Sequence, residues 1–181
     1  MLGLPRGGVP VAAAVASVID APLDVFVVRK LGVPAQPELA MGAVASGGVR
    51  VVNEDVLRQA GISSEVLEEV TAHERAVVES RERLYRGARP ALQLAGREVV
   101  VVDDGLATGA TMRAAVAAVC GLEPRRVVVA VPVAPAETVA AFGQDGIEVA
   151  CVHVPADFVS VGSWYRDFGQ VSDEEVIRLV P

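Results

Sequence analysis

Val99-Val100-Val101-Val102-Asp103-Asp104-Gly105-Leu106-Ala107-Thr108-Gly109-Ala110-Thr111 is the stretch that decides the fold of this chain. Its valine run predicts a strand buried on both faces, and the Ala-rich segment from Thr111 to Cys120 predicts a helix that covers it. A strand that feeds a helix in this way is one unit of a parallel sheet, with its ligand crevice at the strand's C-terminal end. That end carries two adjacent carboxylates, Asp103 and Asp104. The turn of small residues after them exposes backbone N–H groups at a helix start, with the Thr108 and Thr111 hydroxyls close by. Such a turn holds a phosphate dianion through oriented donors and the helix dipole. Two acids beside a phosphate cradle would repel a bare anion. They make sense where they accept hydrogen bonds from ribose hydroxyls and help place Mg. The plainer alternative is that both acids cap the following turn. The loop is not a Walker A motif, because Gly105 and Gly109 are too close and no lysine follows the second glycine.

Outward from this motif, apolar runs alternate with helical stretches. Further strands are expected at Leu2 to Leu4, Leu23 to Val28, Val127 to Val133 and Ile147 to Val152, and further helices from Val9 to Ile19 and Ala136 to Phe142. The fold class is therefore α/β, an open, mainly parallel twisted sheet flanked by helices. One part breaks the alternation. Met41 to Ser46 and Val49 to Asn53 read as a hairpin turning through Gly47-Gly48, and a long helix capped by Ser63 or Ser64 runs to about Arg86. Its apolar stripe is expected at Leu67, Val70, Val77 and Leu84, with supporting pairs Glu79–Arg83 and Glu82–Arg86. A solvated helix docked by one face is favoured over a coiled coil, since the stripe is too short for the latter.

The chain of 181 residues has the size of one domain, residues 1–181, with residues 41–90 as the hairpin-and-helix insertion. Its residues are 52% apolar and 4% aromatic, so the core is built mainly of Val, Ala and Leu. A net charge of −7 argues against a protein that coats nucleic acid. Of its 16 basic residues, Lys30 is the one lysine, beside Arg29. Cys120 and Cys151 lie in apolar runs without ligand spacing and are expected to be buried, inert thiols. His153 is expected in the core or at a rim, and His73 on a helix surface. No apolar run reaches the roughly 20 residues of a membrane span. Val9 to Ile19 after Arg6 has the look of a short signal peptide, but Pro10 interrupts it and cleavage would discard a glycine loop. A cytoplasmic location is the expectation.

The acid pair and threonine loop resemble the binding signature for phosphoribosyl pyrophosphate (PRPP) of type I phosphoribosyltransferases. Gly3-Leu4-Pro5-Arg6-Gly7-Gly8 resembles the family's pyrophosphate loop, which makes Pro5, Arg6, Gly7 and Gly8 pyrophosphate-binding candidates and Pro5–Arg6 the candidate cis bond. Arg29-Lys30-Leu31-Gly32 resembles the start of its flexible catalytic loop. A subgroup of unsettled substrate is more similar still, through Val28 to Gly42, including Pro37-Glu38-Leu39-Ala40-Met41-Gly42, and the tail Val161-Gly162-Ser163-Trp164-Tyr165-Arg166-Asp167-Phe168.

The resemblance implies transfer of a ribosyl 5-phosphate group from PRPP to a nitrogenous base, with release of pyrophosphate. It assigns Asp103 and Asp104 to the ribose diol, and Ala107, Thr108, Gly109, Ala110 and Thr111 to the 5-phosphate. Arg29 and Lys30 would face pyrophosphate. Mg would be held mainly through PRPP, near Asp103 and Asp104. A C-terminal hood, residues 153–181, would grip the base through Asp157, Phe158, Trp164 and Tyr165. Ala107 stands where relatives that use 6-oxopurines carry an aspartate, which leaves adenine, a pyrimidine or an unusual nitrogen nucleophile open. The family normally has a helix and a full first strand ahead of the glycine loop, so part of that region is expected to be missing here. No membrane or nucleic-acid partner is implied, and a homodimer is allowed. The rival reading is a non-catalytic PRPP-sensing regulatory protein.

Overall fold

The computed structural model describes residues 1–180. Five strands, β1 (Leu2–Gly3), β2 (Asp24–Val25), β6 (Glu98–Val102), β7 (Arg126–Val133) and β8 (Glu148–His153), form one sheet in the order β2-β1-β6-β7-β8. Every pairing in it is parallel. Helices α1 (Gly8–Ile19), α4 (Ala110–Cys120) and α5 (Ala136–Gln144) connect and cover these strands. The valine runs pair in register, Val99 with Val127 and Val101 with Val129, and three of these four side chains have 2% exposure or less. Burial of a branched apolar side chain on this scale contributes about 1.5–3 kcal/mol each, and it leaves no solvated face for polar residues.

A second sheet is antiparallel. It contains β3 (Val28–Val33), β4 (Gln36–Ala45) and β5 (Arg50–Val52), in the order β3-β4-β5. Beyond it follow α2 (Glu54–Ala60) and α3 (Ser64–Arg86), and α6 (Asp173–Leu179) is the last helix of the described chain. Two cores result. One lies under the parallel sheet around Val101, Met112 and Phe142, and the other joins α1, α3, α6 and the small sheet around Val9, Leu31, Met41 and Tyr85.

Several expectations are corrected. The run Leu23 to Val28 is not one strand, because the chain changes partners within it. Phe26 N still donates to Gly3 O at 3.0 Å, but Val27 N donates to Ser46 Oγ and Ser46 N to Val27 O, which hands the chain to the second sheet. The hairpin strand starts at Gln36 rather than Met41, and its early half pairs with β3 across bulges at Gly32. Helix α2 has no counterpart among the expected elements, although Asn53 caps it by accepting from Val56 N at 3.2 Å.

The buried stripe of α3 is Leu67, Thr71, Val78 and Tyr85, while Leu84 is 47% exposed. It turns by one residue because the phenol of Tyr85 can be buried with hydrogen-bond partners on both sides. Ion pairs Glu79–Arg83 and Glu82–Arg86 do form. Cys120 is exposed at the solvent side of the last turn of α4, and Cys151 is only partly buried on the edge strand β8. His153 is exposed on that edge, with its ring 4.8 Å from that of Trp164. Among the described residues no helix is long and apolar enough to cross a membrane.

Candidate active site

The order of the parallel sheet fixes where the candidate site lies. From β1 the chain moves to β2 on one side and later to β6 on the other, so the connections after β1 and β6 part at their C-terminal ends and leave a crevice. Leu4 N donates to Val102 O at 2.9 Å, which fixes the glycine loop beside the acids. The approach is so close that a Cβ on Gly8 would lie 2.5 Å from Val102 O and 2.8 Å from Asp103 Cα, and one on Gly7 would overlap the Asp104 carboxylate. Gly8 is therefore a steric requirement set by the backbone of the acid strand, whereas a side chain at Gly7 would displace the Asp104 carboxylate. The Pro5–Arg6 peptide bond is cis.

Asp103 Oδ1 accepts from Asp104 N at 2.9 Å, the local bond of a turn cap. Capping does not exhaust the pair. Burial, and then the charge of Asp104, push the Asp103 carboxyl up to about 7, and burial raises that of Asp104 as well. Two half-buried acids without a cationic partner among the described residues form a site that attracts a cation or hydroxyl donors. The Tyr165 hydroxyl donates to Asp104 O at 2.5 Å, and burial together with the charges of Asp104 and Asp103 pushes that phenol up to about 12.

Ala107, Thr108 and Gly109 form the small-residue loop, and Ala110 and Thr111 are the first residues of α4. Gly109 takes φ 73° immediately before α4, and Thr138 Oγ1 on α5 donates to Ala107 O at 2.7 Å, so the loop is clamped against α5. Ala110 N reaches Thr108 Oγ1 at 3.4 Å. The first turn of α4 points its N–H groups into a cavity of about 150 Å³ lined by Asp103, Thr108, Gly109, Ala110 and Thr111.

Arg29 and Lys30 lie in the β3–β4 ribbon rather than in an irregular loop, and strand alternation sends them to opposite faces. Arg29 Nε pairs with Glu74 at 2.7 Å and lines a cavity of about 250 Å³ with Arg6, Arg81 and Thr111. Lys30 Nζ pairs with Glu38 at 3.2 Å and lines none of the cavities around the acids.

A third space, a cleft of about 660 Å³, is lined by Arg6, Gly7, Asp104, Tyr165, Phe168 and Glu175 among others. Of the four aromatic and acidic tail candidates, Tyr165 alone reaches it. Asp157 is exposed, Phe158 is half-buried and Trp164 stacks on His153. Sequence reasoning missed Phe168, whose ring lies 5.1 Å from that of Tyr165, and missed Asp167, Gln170, Glu175 and Arg81. The Tyr165-to-Phe168 spacing of three was a usable signal for the first. Nothing local marked the others.

A family model described as the phosphoribosyl transferase domain matches residues 1–142. A Mycobacterium tuberculosis protein named provisionally as a phosphoribosyl transferase is 48% identical over 180 residues, 99% of this chain, and this chain spans 41% of that protein's length. The crystal structure of TT1426 from Thermus thermophilus superposes with a TM-score of 0.89 at 48% identity, covering 99% of this chain and 85% of that one. With the family model spanning strand, acid pair and threonine loop alike, the chain belongs to the phosphoribosyl transferase family, in its type I class, with an unsettled substrate.

Proposed function

We propose that this chain transfers the ribosyl 5-phosphate group of PRPP to a nitrogenous base and releases pyrophosphate, with Mg. The observation that carries this reading is a series of three linked spaces, the outer two of which are lined by Asp103 and by Asp104. The small cavity at the start of α4 shares Thr111 with the arginine-lined cavity, which in turn shares Arg6 with the large cleft. A donor with a phosphate at one end, a diphosphate at the other and a ribose between them has this division of charge.

Asp103 and Asp104 accept from the ribose hydroxyls, the N–H groups of residues 107–111 bind the 5-phosphate, and Pro5 to Gly8 with Arg29 face pyrophosphate. The bond from the anomeric carbon to pyrophosphate breaks as the bond to the base nitrogen forms, and the proton of that nitrogen passes to the departing pyrophosphate or to solvent. Positive charge on the ring is met by the nearby carboxylates, and negative charge on the leaving group by arginine. The acid pair would suit Mg, because both carboxyls are raised by burial, and Asp103 by the charge of Asp104 as well, so a divalent cation would relieve them, and Mg keeps few protein ligands. Mg bound with PRPP would supply positive charge to the departing pyrophosphate. Tyr165 and Phe168 offer stacking surfaces to the base in the cleft. Lys30 belongs to this scheme only if the β3–β4 ribbon moves, given its pairing with Glu38.

The test is thermal unfolding with PRPP and Mg, joined to pyrophosphate release across a panel of bases. A ligand at 100 times its Kd stabilises the folded state by about 2.7 kcal/mol, so Tm rises. The double variant Asp103→Asn, Asp104→Asn should lose this rise while keeping its circular dichroism. Unchanged PRPP affinity in it would reduce both acids to turn caps. PRPP binding without turnover on any base would favour the sensor reading.

A further inference from the structure

We infer that Arg81, on the long helix α3, is a further anion-binding residue of this site and grips the pyrophosphate half of the donor. The inference rests on the proposed function. Three arginines from three separate elements line the cavity of about 250 Å³: Arg6 from the loop after β1, Arg29 from β3 and Arg81 from α3. Like charges around one cavity are costly unless an anion joins them, and they occur here in a chain of net charge −7.

Their partners differ. Arg29 is held by Glu74 at 2.7 Å and Arg6 lies 3.8 Å from Asp173. Arg81 has no carboxylate within 4.0 Å among the described residues, and its hydrogen bond goes to a neutral group, the Tyr85 hydroxyl, at 3.1 Å. Tyr85 is buried to 1% exposure and donates onward to Asp173 at 2.6 Å. The phenol thus uses its proton on Asp173 and its lone pair on Arg81, which fixes the guanidinium in place without neutralising it. An oriented, uncompensated guanidinium facing a cavity already lined by two others suits a diphosphate, whose oxygens accept paired N–H donors. The same relay, Arg81–Tyr85–Asp173–Arg6, ties the helix to the glycine loop. Helix α3 therefore contributes to the site as well as to the core.

The experiment measures binding of Mg-pyrophosphate and of ribose 5-phosphate by calorimetry to the parent chain, Arg81→Ala and Arg81→Lys. Loss of a charge-assisted pair should weaken pyrophosphate by about 10- to 100-fold in Arg81→Ala, with Arg81→Lys between it and the parent. Ribose 5-phosphate, which lacks the diphosphate, should bind all three alike. Arg81→Lys keeps the stem and charge, so it provides a folded comparison should the alanine variant unfold. Equal pyrophosphate affinity in parent and variants, or equal loss of both ligands, overturns the role of Arg81 and leaves the proposed function standing. A parent that binds neither pyrophosphate nor PRPP overturns both.

Discussion

At the scale of single residues, Asp103 separates the costs of the site from those of the fold. Its ordinary value of 3.8 rises to about 7 in the native chain, chiefly through burial. An acid whose native value lies above its unfolded value binds more protons when folded, so it subtracts stability as pH rises from about 4 to about 7 and subtracts no more beyond. In the ligand-free protein, Asp103→Asn should therefore match the parent near pH 4 and exceed it above pH 7, by an amount on the order of 1–4 kcal/mol. Urea midpoints at pH 4.5 and pH 8 measure this. A difference between variant and parent that stays constant across that range would show that the carboxyl titrates normally.

Among the elements, α3 depends on one buried anchor. Arg86 Nε lies 3.0 Å from Asp24 Oδ1, with both side chains at 10% exposure or less, and the same guanidinium reaches Glu82 at 2.9 Å and Val25 O at 3.2 Å. Asp24 also accepts from Leu92 N at 3.2 Å. Removal of one member of a buried, multiply bonded pair leaves the other charge unpaired, so Arg86→Ala should cost about 3–5 kcal/mol. Arg83→Ala, on an exposed pair of the same helix, should cost about 0.5 kcal/mol or less. Chemical denaturation of both variants tests the contrast, and equal losses would deny the Asp24 pair its anchoring role.

For the molecule as a whole, the return of the tail across the sheet sets the chemistry of the large cleft. The Tyr165 bond to Asp104 brings Asp167 and Phe168 over the crevice, and α6 adds Glu175. The lining therefore combines three carboxylates with a single arginine, Arg6, which is already near Asp173. Under the proposed function, a base that bears its own carboxylate would meet repulsion there, and Ala107, which lines the neighbouring small cavity, would offer no side-chain proton acceptor to a 6-oxopurine. Turnover with adenine should exceed that with orotate, hypoxanthine and guanine, for the oxopurines by about 100-fold where acid-base assistance is missing. Steady-state release of pyrophosphate across these bases decides, and orotate or guanine as the best substrate would overturn this reading of the cleft.

What the sequence determined by itself was local. Four valines in a row predict a strand buried on both faces, and β6 is that strand. Small residues with two threonines before an Ala-rich run predict a helix start, and α4 begins at Ala110. Adjacent acids and adjacent glycines were legible because each pair is local in sequence, and Gly8 meets backbone that leaves no room for a Cβ. Tertiary structure alone decided the rest, because it depends on which partner a segment meets. An apolar run such as Leu23 to Val28 has the same periodicity whichever strands flank it, so the change of sheet at Phe26 left no local trace. Arg29 and Lys30 were equal candidates in sequence until strand alternation and the packing of α3 gave one to the cavity and the other to Glu38. Arg81 resembled any surface arginine, and its position depends on a buried phenol and an aspartate 92 residues further along the chain, a contact that exists only once helix, loop and tail have packed together.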